Sequence, residues 1–180
     1  VLLLTRRDER LTRVRRSPAT DVYSGQLFID IDRLKDLNRL HGHVATDELL
    51  RAAALRLREL SRPYDSLVRW GGDEFILLLP EVTRDKAAII ADRIRRSIAE
   101  TPFDRNGAKV EMSVSIGVAD LGRGEPVIEL IRRVSEMMYE AKFAGGNRVR
   151  VFDAEGEATT RHEPADAARP AFHVGQVGGI

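Results

Sequence analysis

The sequence predicts an α+β domain, a central and mainly antiparallel sheet with helices packed on it. Three observations carry this. Short β-prone apolar runs alternate with amphipathic stretches at helical spacing. Two of the runs flank Gly71-Gly72, the signal of an antiparallel hairpin. The resulting order, β-α-α-β-β-α-β-α-β, mixes hairpin with crossover connections.

Each element has its own reason. Residues 1–16 carry Leu4, Leu11 and Val14 at helix-compatible spacing among six arginines, which predicts a short amphipathic helix with a solvated basic face. Residues 26–31 form an apolar run interrupted by Asp30, a buried strand. Asp32 is the expected N-cap of a helix bearing Leu34, Leu37, Asn38 and Leu40, which stops at Gly42. Leu49, Leu50, Ala53, Leu57 and Leu60 stripe a second helix that Pro63 ends. Residues 67–70 and 73–79 make the hairpin, with Gly71 and Gly72 expected at φ > 0 in a type I′ turn. Thr83 caps a helix to Glu100 with the stripe Ala87, Ile90, Ile94, Ile98. Alternation from Val110 to Ala119 predicts one strand. Pro126 opens a helix to Phe143 that Gly145-Gly146 closes, and residues 149–152 form a last strand. Beyond Asp153 the chain is rich in Gly, Pro and acids with no apolar period, so residues 153–180 read as a flexible tail.

Composition narrows the class. The 180 residues suit a single domain. With no Cys, disulfide frameworks, thiolate metal sites and Cys nucleophiles are excluded. Balanced charge, 29 Lys+Arg against 28 Asp+Glu, gives no reason to expect a nucleic-acid partner. No apolar run approaches the roughly 20 residues of a membrane helix. These features predict a cytoplasmic domain and leave open a membrane tether elsewhere in the parent. Beginning at Val1 rather than Met, the chain reads as a piece of a longer protein.

Two placements of charge are anomalous. Asp30 lies inside an apolar strand, where a carboxylate costs several kcal/mol unless paired; it is also compatible with a strand end already in water. Asp73 and Glu74 crowd the Gly-Gly turn. If the Asp30 strand neighbours this hairpin, three carboxylates meet at one sheet edge. An all-oxygen set of that kind suits Mg²⁺, and two such ions can clamp a triphosphate. His41 and His43, flanking Gly42, do not share a helix face and are not read as a metal pair.

At this point the residues resemble a known family. Arg69-Trp70-Gly71-Gly72-Asp73-Glu74-Phe75 matches the signature hairpin of the GGDEF family, the diguanylate cyclases. Upstream, Asp30, Lys35, Asn38, Gly42-His43 and Asp47 follow the same family pattern. Ser113 to Ala119, Ala141-Lys142 and Gly145-Gly146-Asn147-Arg148 match its later blocks, and residues 3–7 look like the end of its opening motif. The likeness runs over roughly residues 3–152, so a GGDEF domain is expected over 1–152.

The resemblance implies a sheet similar to the polymerase palm, with a ferredoxin-like core, and condensation of two GTP into cyclic di-GMP plus two pyrophosphates. It implies Mg²⁺ or Mn²⁺, two per active site, held by Asp30, Asp73, Glu74 and the Ile31 carbonyl, with Asp73 as general base for the ribose 3′-hydroxyl. Gly71 and Gly72 let backbone approach the nucleotide. Asn38 and Asp47 look like guanine readers, and an ionised Asp matches a donor pair that adenine lacks. Lys35, Lys142 and Arg148 look like phosphate contacts. Arg62 and Asp65, five residues or more before the glycines, resemble the family's RxxD inhibitory product site, with Arg93 as a second arginine. Because each domain holds one GTP, the implied partner is a second GGDEF domain, with an N-terminal sensor or dimerisation module in the full protein.

Departures from the pattern stand beside the matches. Thr46 replaces a usual Gly next to Asp47, Gly146 a usual phosphate-binding Arg, Arg39 a common Asp and Leu34 a common Phe. They keep open a second reading, a non-catalytic receptor for GTP or cyclic di-GMP. An RNA-binding sheet is disfavoured, because the aromatics fall mostly at core-like positions.

Overall fold

The computed structural model of the chain describes residues 24–105, 107–121, 125–153 and 159–161. The expected helix over 1–16 lies outside them, as does most of the tail. The elements run β1 (Ser24–Ile31), α1 (Leu34–His41), α2 (His43–Leu60), β2 (Ser66–Arg69), β3 (Glu74–Pro80), α3 (Arg84–Glu100), β4 (Phe103–Arg105), β5 (Ala108–Val110), β6 (Val114–Asp120), α4 (Val127–Phe143), β7 (Val149–Val151) and β8 (Thr159–Arg161).

Six strands form one sheet in the order β2-β3-β1-β6-β7-β8, and β4 and β5 pair separately. Every pairing is antiparallel except β6 with β7, which α4 joins as a crossover. This is the α+β architecture that the mixture of hairpins and crossovers predicts. Side chains alternate along β1: Leu27, Ile29 and Ile31 enter the larger core with α2 and α3, while Phe28 joins Ile76, Leu130, Val134 and Met138 under α4. Among the described residues, helices therefore pack on both faces of the sheet. Tyr64, Trp70, Tyr139 and Phe143 are nonetheless exposed, against the expectation that the aromatics fill the core. They sit on turns and on the outer side of α4, where no second layer covers them.

α4 lies unusually close on β6. A Cβ on Gly117 would fall 2.1 Å from the Val134 carbonyl oxygen and 2.5 Å from the Met138 nitrogen. Only a glycine permits that approach, and it brings the last turn of α4 over the end of β1.

Three local expectations are corrected. Asp32 is not the N-cap of α1; Arg33 takes that position at φ 55, and the Asp32 carboxylate is committed elsewhere. The single strand expected over 110–119 is two: Val110 pairs with Phe103 in the β4–β5 hairpin, and β6 begins at Val114. Val110, Met112 and Val114 are all buried, so the alternation reports burial and not a continuous ladder. The Gly71-Gly72 turn is not type I′, since neither glycine has a left-handed φ. The ladder stops at Arg69 opposite Phe75, and residues 70–73 make a wider connection. There the Trp70 and Gly71 amides donate to the Glu74 carbonyl at 2.8 and 3.3 Å, and Arg69 Nε donates to the Gly72 carbonyl. β8 and the β4–β5 hairpin are elements the sequence does not signal.

Candidate active site

The pairing of β1 with β3 and β6 builds the site. Asp30 stands opposite Glu74 on one side and Ser115 on the other, and the Ile31 amide donates to the Asp73 carbonyl at 3.2 Å. The pairing of β1 with β3 thus places Asp30, Ile31, Asp73 and Glu74 at one end of the sheet. By strand alternation Asp30 shares the α4 face with Phe28. It is 3% exposed, and Lys142, on the last turn of α4, meets its Oδ1 as an ion pair. That oxygen has no well-aligned hydrogen bond. Desolvation is the largest cause of a rise in the Asp30 pKa to about 7; Lys142 pulls it down, while the charges of Asp73 and Glu74 push it up. Glu74 Oε2 lies back over Gly71, 2.7 Å from where a Cβ would stand. Among the described residues, no three His, Cys, Asp or Glu side chains converge as a ready ion cage. Asp73 and Glu74 lie close enough for their charges to bear on Asp30, but Lys142 is paired with Asp30 and Glu74 lies back toward the turn. The donor chemistry fits a hard divalent cation, because a buried carboxylate oxygen without a well-aligned hydrogen bond lies within the electrostatic reach of two further carboxylates.

The remaining candidates form two further groups. Asn38 is half-buried on α1, Lys35 is exposed one turn before it, and Asp47 is exposed on the first turns of α2. Thr46, beside Asp47, is buried and donates its hydroxyl to the Gly42 carbonyl at 3.0 Å. In the loop after α2, Asp65 is buried and accepts from the Arg62 amide at 2.7 Å, while the Arg62 side chain is exposed. Arg93 Nη2 donates to the Leu60 carbonyl at 2.9 Å, two residues before Arg62. These bonds place Arg62, Asp65 and Arg93 around the end of α2. Arg148 folds onto its own loop and donates to the Gly146 carbonyl at 3.1 Å.

Comparison with known proteins decides what this arrangement belongs to. The model of the family described as diguanylate cyclase, GGDEF domain, matches residues 5–148. The chain belongs to the GGDEF family. Diguanylate cyclase DgcM of Escherichia coli K12 is 43% identical over 123 residues, covering 68% of this chain and 29% of that protein. Response regulator PleD of Caulobacter vibrioides is 39% identical over 126 residues, covering 68% and 28%. The chain thus spans about a third or less of the length of these curated relatives. Among solved structures, the GGDEF domain of DgcB from Caulobacter crescentus, in complex with c-di-GMP, superposes with a TM-score of 0.68 at 26% identity, covering 72% of this chain and 78% of that one. The active GGEEF domain of a diguanylate cyclase from Vibrio cholerae gives 0.67 at 30% identity, covering 73% and 83%.

This GGDEF domain also contains a polar hub that its sequence did not signal. Asp32 accepts from Ser115 Oγ at 2.6 Å, Ser113 Oγ at 2.7 Å and the Asn147 amide at 2.8 Å. Three donors satisfy a carboxylate that is 8% exposed. Asn147 Oδ1 in turn accepts from Arg95, which is paired with Asp92 on α3. α4 ends in a Schellman motif, with the Gly146 amide on the Ala141 carbonyl and the Gly145 amide on that of Lys142. Gly145 and Gly146 have φ 111 and 75, and a Cβ on Gly146 would stand 3.0 Å from the Asp32 carboxylate. Gly146 is therefore the residue this loop geometry requires. Ser115 lies on β6 and Ser113 just before it, so the hub depends on the pairing of β6 with β1, which the local sequence does not announce.

Proposed function

We propose that this domain is a diguanylate cyclase that condenses two GTP into cyclic di-GMP and two pyrophosphates between two facing GGDEF domains. One observation carries the reading: a buried aspartate at the end of β1, in register with the acidic hairpin and overhung by a lysine from α4. Membership of the GGDEF family and likeness to named diguanylate cyclases support it.

Asp30, Asp73, Glu74 and the Ile31 carbonyl are the groups that would hold Mg²⁺ or Mn²⁺, two per site. Such cations neutralise the charge that develops on phosphoryl oxygens. The chain itself supplies positioning. Asn38 and Asp47 read the guanine edge; Lys35, Lys142 and Arg148 face the triphosphate; Gly71 and Gly72 let the hairpin backbone approach it. Asp73 takes the proton of the ribose 3′-hydroxyl as that oxygen attacks the α-phosphorus held by the opposite domain. The bond to the β-phosphate breaks and pyrophosphate leaves; a second, symmetric attack closes the ring. Arg62, Asp65 and Arg93 form the site at which product binds and inhibits.

The test is incubation with GTP and Mg²⁺, with products read by mass spectrometry. Cyclic di-GMP is expected from the native domain, and Asp73→Ala is expected to lower its rate by about a thousandfold, on the scale of losing a base and a charge-stabilising group together. Native protein that binds cyclic di-GMP tightly and forms none would instead identify a receptor. That second reading draws on the absence of a ready ion cage among the described residues.

A further inference from the structure

We propose that Lys142 is a resident stand-in for a divalent cation: its ammonium occupies the Asp30 carboxylate in the free domain, and metal enters only by displacing it. The inference rests on the reading of Asp30 as a metal ligand. Three features of the chain support it. Asp30 is almost wholly buried with Asp73 and Glu74 nearby, so an uncompensated charge there is costly. Lys142 Nζ abuts Asp30 Oδ1 itself, the oxygen that has no aligned hydrogen bond to satisfy it. The lysine side chain is 31% exposed, so its four-carbon stem has room to swing outward without unpacking α4.

An ammonium and a divalent cation cannot share that oxygen, because their charges repel and they occupy the same place. Binding of metal alone must therefore break the Lys142–Asp30 pair and leave the lysine unpartnered. A triphosphate changes this balance by offering Lys142 a new anion. Metal and nucleotide then favour one another, with Lys142 as the coupling element. Metal without nucleotide is held weakly, and the carboxylates stay neutralised until substrate arrives.

The first measurement is Mn²⁺ binding in the absence of nucleotide, followed by electron paramagnetic resonance. Lys142→Gln is expected to bind Mn²⁺ more tightly than the native domain, by about fivefold or more, the usual range of such couplings, and Asp30→Asn is expected to lose the site. The second uses the native protein. Acetylation by an N-hydroxysuccinimide ester, mapped by mass spectrometry, is expected to become severalfold faster at Lys142 when Mg²⁺ is added, with exposed Lys86 unchanged. If Asp30→Asn abolishes Mn²⁺ binding while Lys142→Gln binds no better and Lys142 labelling stays constant, the stand-in role is overturned and the metal site survives. If Asp30→Asn binds Mn²⁺ as the native domain does, the metal reading of Asp30 falls, and the stand-in role falls with it.

Discussion

Asp30 couples folding to pH in a direction opposite to most carboxylates. Its folded pKa is raised from 3.8 to about 7, so the native state holds a proton that the unfolded chain has released between those values. Stability conferred by the protonated form is therefore lost as pH rises from about 4 to about 7, and is flat above. Asp30→Asn removes this cost. Without divalent cation, its melting temperature is expected to exceed that of the native domain by a few degrees at pH 8. That is roughly what 1 kcal/mol gives in a chain this size, the rest of the gain being offset by the lost pairing with Lys142. The gap should close toward pH 4, and a constant gap by calorimetry would contradict this account. Much of this was legible at the residue scale: a lone aspartate in an apolar strand and a doubled acid beside two glycines. The commitment of Asp32 was not. A carboxylate just past a strand has the same local signature whether it caps a helix or accepts from residues some 80 positions away, as it does from Ser113 and Ser115. Sequence proximity cannot choose between them.

Among the elements, α4 and its seat on β6 make the sharpest prediction. Gly117→Ala puts a methyl group against helix backbone, which cannot rotate away as a side chain can. A loss of about 3 kcal/mol, or roughly 10 °C in melting temperature, is expected by thermal unfolding. An unchanged melting temperature would mean that the helix rides higher than described. The helices and main strands were readable from periodicity, because each buries one stripe or face. Their joints were not. Gly71-Gly72 carries the dipeptide signal of a two-residue turn, yet hydrogen bonds from Trp70 and Gly71 to the Glu74 carbonyl, with Arg69 bracing Gly72, hold a wider one. Turn type follows from such side-chain and backbone bonds as well as from the glycines. β8 was hidden for another reason. Three polar residues, Thr159–Arg161, gain their order from an edge of β7 that already exists, and carry no apolar period of their own.

At the level of the whole molecule, the proposed chemistry needs two domains. Cyclic di-GMP formation per domain is expected to rise as protein concentration rises, and a specific activity that stays constant over a hundredfold dilution would argue against a reaction between facing domains. The family was legible because its blocks recur in order along one chain; the free-state arrangement at Asp30 was not, since pairing with Lys142 joins residues 112 positions apart through the packing of α4. That packing has a mechanical consequence. With α4 backbone at Val134 and Met138, one to two turns before Lys142, resting directly on strand backbone at Gly117, α4 can neither slide nor roll without lifting off its support. A controlling input is thus expected to act by reorienting the domain as a rigid body toward its counterpart, leaving the interior as it stands.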